Sequence, residues 1–232
     1  MGFAIISRMS RPLRAASLKL LLPFVFLLGW QAGAAALSYT LVEADHPSCK
    51  GPCPKVIAAS GTIGQEEYLE FFAFLKDARS RHRISNTMLL ESRGGFVSGA
   101  MVLGVLLRKL GMDVVVARPA GGPITRHSGV SPATCASACV LALVGGRKRS
   151  YVRGSQIGVH HPHLGPEVLD PVTRKPINGV MDEDRSRYVH ARYFKMMGID
   201  QKLWQLIEGT ASNDIRWMTP DDLRRYRVAV AD

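Results

Sequence analysis

The chain has 232 residues, of which 47% are hydrophobic, with 30 Lys+Arg against 19 Asp+Glu. Four of the basic residues and none of the acidic ones fall in the first 36 positions, so residues 37–232 keep 26 against 19, a net charge of +7. That balance is basic, but its groups, Arg79 to Arg83, Arg147 to Arg149 and Arg224 to Arg227, each border apolar sequence and form no recognised nucleic-acid module. Nucleic acid is excluded as a partner, and a solvated basic face suited to anionic envelope surfaces is expected.

In chain order, Arg8, Arg11, Arg14 and Lys19 precede the apolar run Leu20 to Trp30, and small residues with Ala-x-Ala patterns follow to Ala36. That layout is a secretory signal, cleaved between Ala34 and Leu37, which delivers residues 37–232 to the periplasm or beyond. The competing reading leaves residues 20–37 uncut, as an N-terminal anchor in the inner membrane. The roughly 195 residues that follow are enough for one domain with a real core, and no internal repeat or linker divides them.

Lys55 to Ser60 reads as a strand. Thr62-Ile-Gly-Gln65 has capping-box spacing, and Glu66 to Ser80 reads as a helix with Tyr68, Leu69, Phe72 and Leu75 at helical intervals. Thr87 to Leu90 is a short buried strand, Gly99 to Leu110 an apolar helix stopped by Gly111, and Asp113 to Ala117 another buried strand. Gly121 to Thr134 reads as a loop, Ser137 to Val144 as a helix and Ser155 to Val159 as a strand. Asp182 to Gly198 is an amphipathic helix with an acidic start and a glycine stop, and Thr219-Pro-Asp-Asp222 opens a last short helix. Strand and helix alternating in this way predict right-handed crossovers and a mainly parallel sheet, an α/β fold.

Cys49, Cys53, Cys135 and Cys139 make an even set in an oxidising compartment, where disulfides are expected in any of three pairings. Gly51 and Pro52 favour the tight turn that Cys49 with Cys53 would need. Cys135 with Cys139 would bracket Ser137, provided Cys135 lies before the helix starts; two small buried thiols are the alternative.

The chemistry concentrates in three places. Leu89-Leu-Glu-Ser-Arg-Gly94-Gly95 ends a strand in two glycines before an apolar helix, Ser137 opens another helix, and Ile157-Gly-Val-His160-His-Pro162 follows. A serine needs an imidazole to take its proton, and an oxyanion needs backbone amides. Each element has a plainer reading: Ser137 as a helix cap, His160 as a satisfied strand end, and the glycines as a turn. His160, His161 and His163 suggest no metal, because adjacent strand residues face opposite ways and a distant ligand would be needed.

In this order the three elements resemble the ClpP/crotonase fold, closest to the proteolytic subunit of Clp protease and its exported relatives, from about Lys55 to the C-terminus. The resemblance implies repeated β-β-α units, Ser137 as nucleophile, His160 as general base, and Gly95 and Ala138 as oxyanion-hole amides. It also implies a homo-oligomer built through the helix from Asp182 to Gly198, and peptide or protein substrates without a cofactor. The chain departs from the family at the third triad member. The expected spacing falls near Thr210 to Ser212, which have no carboxylate. Asp214 is the nearest substitute, Asn213 an amide alternative, and Asp200 and Asp184 lie further off. A serine-lysine site would need Lys148 or Lys195, one in the basic turn and one on a helix face. An exported serine peptidase is the leading reading, a noncatalytic envelope protein that keeps the fold is the alternative, and a crotonase-type acyl-CoA enzyme fits poorly with export. No ATP-binding loop is present.

Overall fold

Runs of Val, Ile, Leu and Ala between glycine-rich turns form the strands of a six-stranded sheet. The computed structural model describes residues 1, 35–125, 128–162 and 183–231. The chain divides after Ala32, and the unit from Gly33 to Asp232 holds every element described below.

In chain order the elements are β1 (Ser38–Val42), β2 (Lys55–Ser60), α1 (Glu67–Arg81), β3 (Ile84–Glu91), α2 (Val97–Lys109), β4 (Asp113–Val116), β5 (Arg118–Pro119) and β6 (Val130–Ser131). Then come β7 (Thr134–Ala136), α3 (Ala138–Leu143), β8 (Arg149–Tyr151), β9 (Gln156–Val159), α4 (Glu183–Met197), α5 (Leu203–Glu208), β10 (Arg216–Trp217), α6 (Pro220–Arg225) and β11 (Val230–Ala231). The large sheet has the order β1-β2-β3-β4-β8-β11. Only the β1 and β2 pair is antiparallel within it.

A second layer gives the fold its repeat. Each central strand runs on into a short parallel pairing before its helix begins. Ile63 bridges Gly95, Ser92 bridges Cys135, and β7 pairs with β9. The chain therefore repeats strand, short strand, helix: β2 to α1, β3 to α2, β4 through β7 to α3, and β8 through β9 to α4. This is the β-β-α repeat expected above, with a mainly parallel sheet.

Alternation along the strands sorts the core. Ile57, Ala59, Met88, Leu90, Val114 and Val116 face the helices in the main cluster, and each large aliphatic chain buried there contributes roughly 1.5–3 kcal/mol. Val56, Ala58 and Leu89 face the other way, under Ile124 and Val130 of the β5 and β6 region.

Several expectations change. The capping box at Thr62 does not form: α1 starts at Glu67, whose carboxylate accepts the Gly64 amide at 2.8 Å and the Tyr39 hydroxyl at 2.6 Å. The buried face of α1 is Glu67, Phe71, Leu75 and Ala78, whereas Leu69 and Phe72 stay exposed. The loop from Gly121 to Thr134 contains β6, and strands β1, β8, β10 and β11 and helix α5 join the elements read from the sequence. The basic turn at Arg147 to Arg149 is not all solvated face. The Arg149 guanidinium is half-buried and donates to the carbonyls of Val228 and Arg227 at 3.0 Å each and of Met197 at 3.3 Å. Arg108 donates to Val144 and Met197, so two cations satisfy the carbonyl ends of α3 and α4. Burial, with Arg108 and Arg227 close by, lowers the proton affinity of Arg149.

Among the described residues no helix is long and apolar enough to cross a membrane. Residues 2–34 of the signal or anchor segment lie outside them.

Candidate functional site

Ser137 stands at a sharp turn between β7 and α3. Its backbone has φ 57° and ψ −129°, and with Arg227 it is one of two residues other than glycine with positive φ among the described residues. A side chain in that region costs on the order of 1–3 kcal/mol, so the surroundings must impose it. They do so by pairing on both sides. The Ala136 amide donates to the Ser92 carbonyl at 3.0 Å, the Ser137 amide to the Gly158 carbonyl at 2.9 Å, and the Val140 amide to the Ser137 carbonyl at 3.0 Å. The cap reading of Ser137 fails, because its hydroxyl makes no cap bond to α3 and its backbone lies far from a cap's extended conformation.

The Cys135–Cys139 disulfide closes over the same turn, with Cα atoms 5.3 Å apart. Cys135 lies in β7, ahead of the helix, which meets the condition stated above. Cys49 and Cys53 form the other disulfide, so of the three possible pairings of the four cysteines the structure has the one in which both bridges are local.

The glycine pair packs against the serine. Gly94 has φ 108° and Gly95 φ 143°, both open only to glycine. A Cβ on Gly94 would lie 2.8 Å from the Ser137 Cβ and 3.1 Å from the Ala138 nitrogen. A Cβ on Gly95 would lie 2.2 Å from the Ile63 carbonyl oxygen. The Ser92 hydroxyl locks this turn, accepting the Gly94 amide at 3.0 Å and donating to the Gly94 carbonyl at 3.2 Å. Ile63 clamps it from the other side through the Gly94 carbonyl and the Phe96 amide. The amides of Gly95 and Ala138 pair with no backbone carbonyl among the described residues, as donors reserved for a ligand would be.

His160 arrives by register. Ala136 pairs with Gly158 across β7 and β9, so the residue after β9 is carried beside the serine turn. Ser137, Ala138 and His160 line one cavity of about 30 Å³ together with Pro162, His190 and an apolar wall that includes Val97, Val140, Leu141, Phe194 and Leu203. His161 is directed elsewhere: its amide donates to the Thr210 carbonyl at 2.9 Å, and its Nε2 is 3.6 Å from Glu183. His163 lies outside the described residues.

Among the described residues no carboxylate and no lysine lines the cavity. Asp214 is exposed in the turn before β10, where its Oδ1 accepts the Ile215 amide at 2.7 Å, and Asn213 beside it is also exposed. Asp200 accepts the Lys202 amide at 2.9 Å near the start of α5. Asp184, Lys148 and Lys195 are exposed. His190 is the site residue that sequence reasoning missed. Its signal was present: His190, Tyr193, Phe194 and Met197 recur on the buried face of α4, and a histidine within such a stripe is a candidate to face a cavity. Among the described residues no three His, Cys, Asp or Glu side chains converge as a metal site.

No family model and no curated protein matches the chain. Among solved structures it is similar to the membrane-bound stomatin-specific protease 1510-N, at 17% identity over 75% of this chain and 77% of that one, with a TM-score of 0.49. It is similar also to ClpP1 from Listeria monocytogenes, at 19% identity over 73% of this chain and 85% of that one, with a TM-score of 0.44.

Proposed function

We propose that the protein is an exported serine hydrolase acting on peptides. The observation that carries this reading is the backbone of Ser137, held at positive φ with its hydroxyl uncommitted to the helix, on a cavity it shares with His160.

In this reading His160 takes the proton of Ser137 as the hydroxyl oxygen bonds to the substrate carbonyl carbon. The amides of Gly95 and Ala138 receive the developing oxyanion, where loss of one donor typically costs about 3–4 kcal/mol of transition-state stabilisation. The leaving amine takes the proton from His160, and an acyl-Ser137 intermediate remains for water to open. The strand edge near Gly95 supports an extended peptide as substrate, and the apolar wall supports an apolar side chain beside the scissile bond. Residues 1–36 serve as export signal or inner-membrane anchor, and N-terminal sequencing from the native host tests this: a start between Ala34 and Leu37 supports cleavage, and an intact Met1 rules it out. Homo-oligomers are proposed through the outer face of α4, where Tyr188 and Met196 are exposed; a monomer by light scattering at high micromolar concentration counts against them.

The test of the assignment is hydrolysis of a reporter ester or peptide. Ser137→Ala and His160→Ala each remove most activity, and the double variant is little worse than either, because the two act as a unit. Full activity in a folded Ser137→Ala protein overturns Ser137 as the nucleophile and leaves the crotonase-like reading, whereas a folded wild type without any hydrolysis leaves the noncatalytic one.

A further inference from the structure

Two imidazoles, not one, meet Ser137 at its cavity: His160 from the end of β9 and His190 from α4. The remaining described side chains that line it are apolar. A space of about 30 Å³ has room for one or two waters, and a water settles there only where two or more polar groups meet it. Ser137, His160 and His190 supply those groups.

His190 is held for one role. Its Nδ1 lies 2.8 Å from the carbonyl oxygen of Ser186, one turn earlier on α4. A carbonyl only accepts, so Nδ1 carries the proton of the neutral ring and Nε2 carries the lone pair. The ring is 3% exposed and fixed between Trp204, with centroids 4.7 Å apart, and Phe194, at 6.0 Å. One turn further along α4, the Tyr193 hydroxyl donates to the Leu141 carbonyl at 2.6 Å, which ties α4 to α3, the helix that Ser137 begins. The hydroxyl also sits over Gly104 of α2, where a Cβ would lie 2.0 Å from it. The ring therefore cannot drift from the cavity without unpacking three helices. Burial, and to a lesser degree the neighbouring His161, holds its proton affinity below the ordinary imidazole range, which keeps Nε2 free to accept.

A hydrolytic cycle abstracts two protons, one from the serine and one from the water that opens the acyl-enzyme. We propose that His190 is a further catalytic residue, whose Nε2 accepts the proton of the water that hydrolyses acyl-Ser137. The inference rests on the hydrolase reading above. In the step, the water oxygen bonds to the acyl carbon as its proton passes to His190. The bond from the acyl carbon to Ser137 Oγ then breaks, and the proton returns across the cavity to Oγ. A free carboxylic acid and the original serine remain, and His190 is neutral again.

The experiment separates acylation from deacylation in the full chain. With a chromogenic ester, wild type gives a burst and a steady state. His190→Gln is expected to keep the burst and the fluorophosphonate labelling of Ser137 within about threefold of wild type, while the steady state falls about 100-fold, the scale of a lost general base. Acyl-Ser137 then accumulates to a mass detectable on the intact protein. Hydroxylamine, a nucleophile that needs no base, restores turnover. A His190→Gln steady state equal to wild type overturns the proposal, and so does an equal loss of burst and steady state. Should His190→Gln not fold, deacylation in wild type decides: an acid limb below the ordinary imidazole value supports His190, whose titrating neighbours among the described residues are His160 and His161, and a limb at or above it refutes the role. Absence of any labelling at Ser137 in wild type instead defeats the hydrolase reading itself.

Discussion

Replacing Cys135 and Cys139 together by alanine removes the cross-link that brackets Ser137. The ring it closes contains five residues, and the chain-entropy relation for a loop of that length gives about 2 kcal/mol of stabilisation. This is the same size as the roughly 1–3 kcal/mol of strain in a serine at φ 57°. The disulfide is therefore matched to the conformation it spans, and its loss allows β7 and α3 to relax at the elbow. Urea unfolding of the Cys135→Ala/Cys139→Ala variant should show a loss of about 2 kcal/mol, a factor of about 30 in the folded-to-unfolded ratio. The rate of Ser137 labelling should fall by at least as much under conditions where the variant is still folded. Reduction of wild type should do the same, but slowly, since both sulfurs are fully buried and reductant enters only on opening. A folded variant with wild-type stability and a wild-type labelling rate would refute the reasoning, and the strain on Ser137 would then be imposed by the strand pairing alone.

Gly94→Ala should lose about 2–5 kcal/mol, combining a φ of 108° with a methyl 2.8 Å from the Ser137 Cβ, and should lose activity with it. Gly111→Ala, at φ 65° and in open space, is the control and should cost about 1–2 kcal/mol by thermal melting, with activity kept. Asp214→Ala should retain most ester hydrolysis, since the carboxylate is exposed and taken up by the Ile215 amide; a hundredfold loss in kcat would make it the third triad member after all. His190 gives a pH signature in stability. Its folded-state proton affinity is depressed, chiefly by burial, so the unfolded chain binds the extra proton below its ordinary value near 6.5. Among the described residues His160 and His161 are its titratable neighbours, and no carboxylate of the described cavity lining can hold an imidazolium there. Stability should therefore be lost as pH falls below about 6.5, with a slope of at most about 1.4 kcal/mol per pH unit, and His190→Gln should flatten that limb in melts between pH 7.5 and 5.

What could be read from the sequence was what lies contiguous in it. The run around Ser137 carries its glycine partners, its cysteines and its histidine in three short segments, each with a local conformational demand, and the α/β alternation follows from apolar runs of strand or helix length. The parts that escaped depend on tertiary partners. Strand β8 was hidden because Arg149 looks like a surface charge until the carbonyls of Arg227 and Val228 and the carbonyl end of α4 converge on it. The phase of α1 was misjudged because Glu67 is buried by a hydrogen bond from Tyr39, twenty-eight positions away, which pulls Phe71 inward instead of Phe72. His190 lies 53 positions beyond Ser137, and nothing local to α4 says which cavity its buried face meets. The short strands β10 and β11 are two residues each and carry no periodicity of their own.

The central claim is that Ser137 is an activated nucleophile, and labelling of the full chain with a serine-directed fluorophosphonate, read by peptide mass, tests it most directly. The account predicts a single adduct on Ser137 that is lost in Ser137→Ala and strongly slowed in His160→Ala. A folded protein that takes no label at Ser137, or takes it equally well without His160, would contradict it.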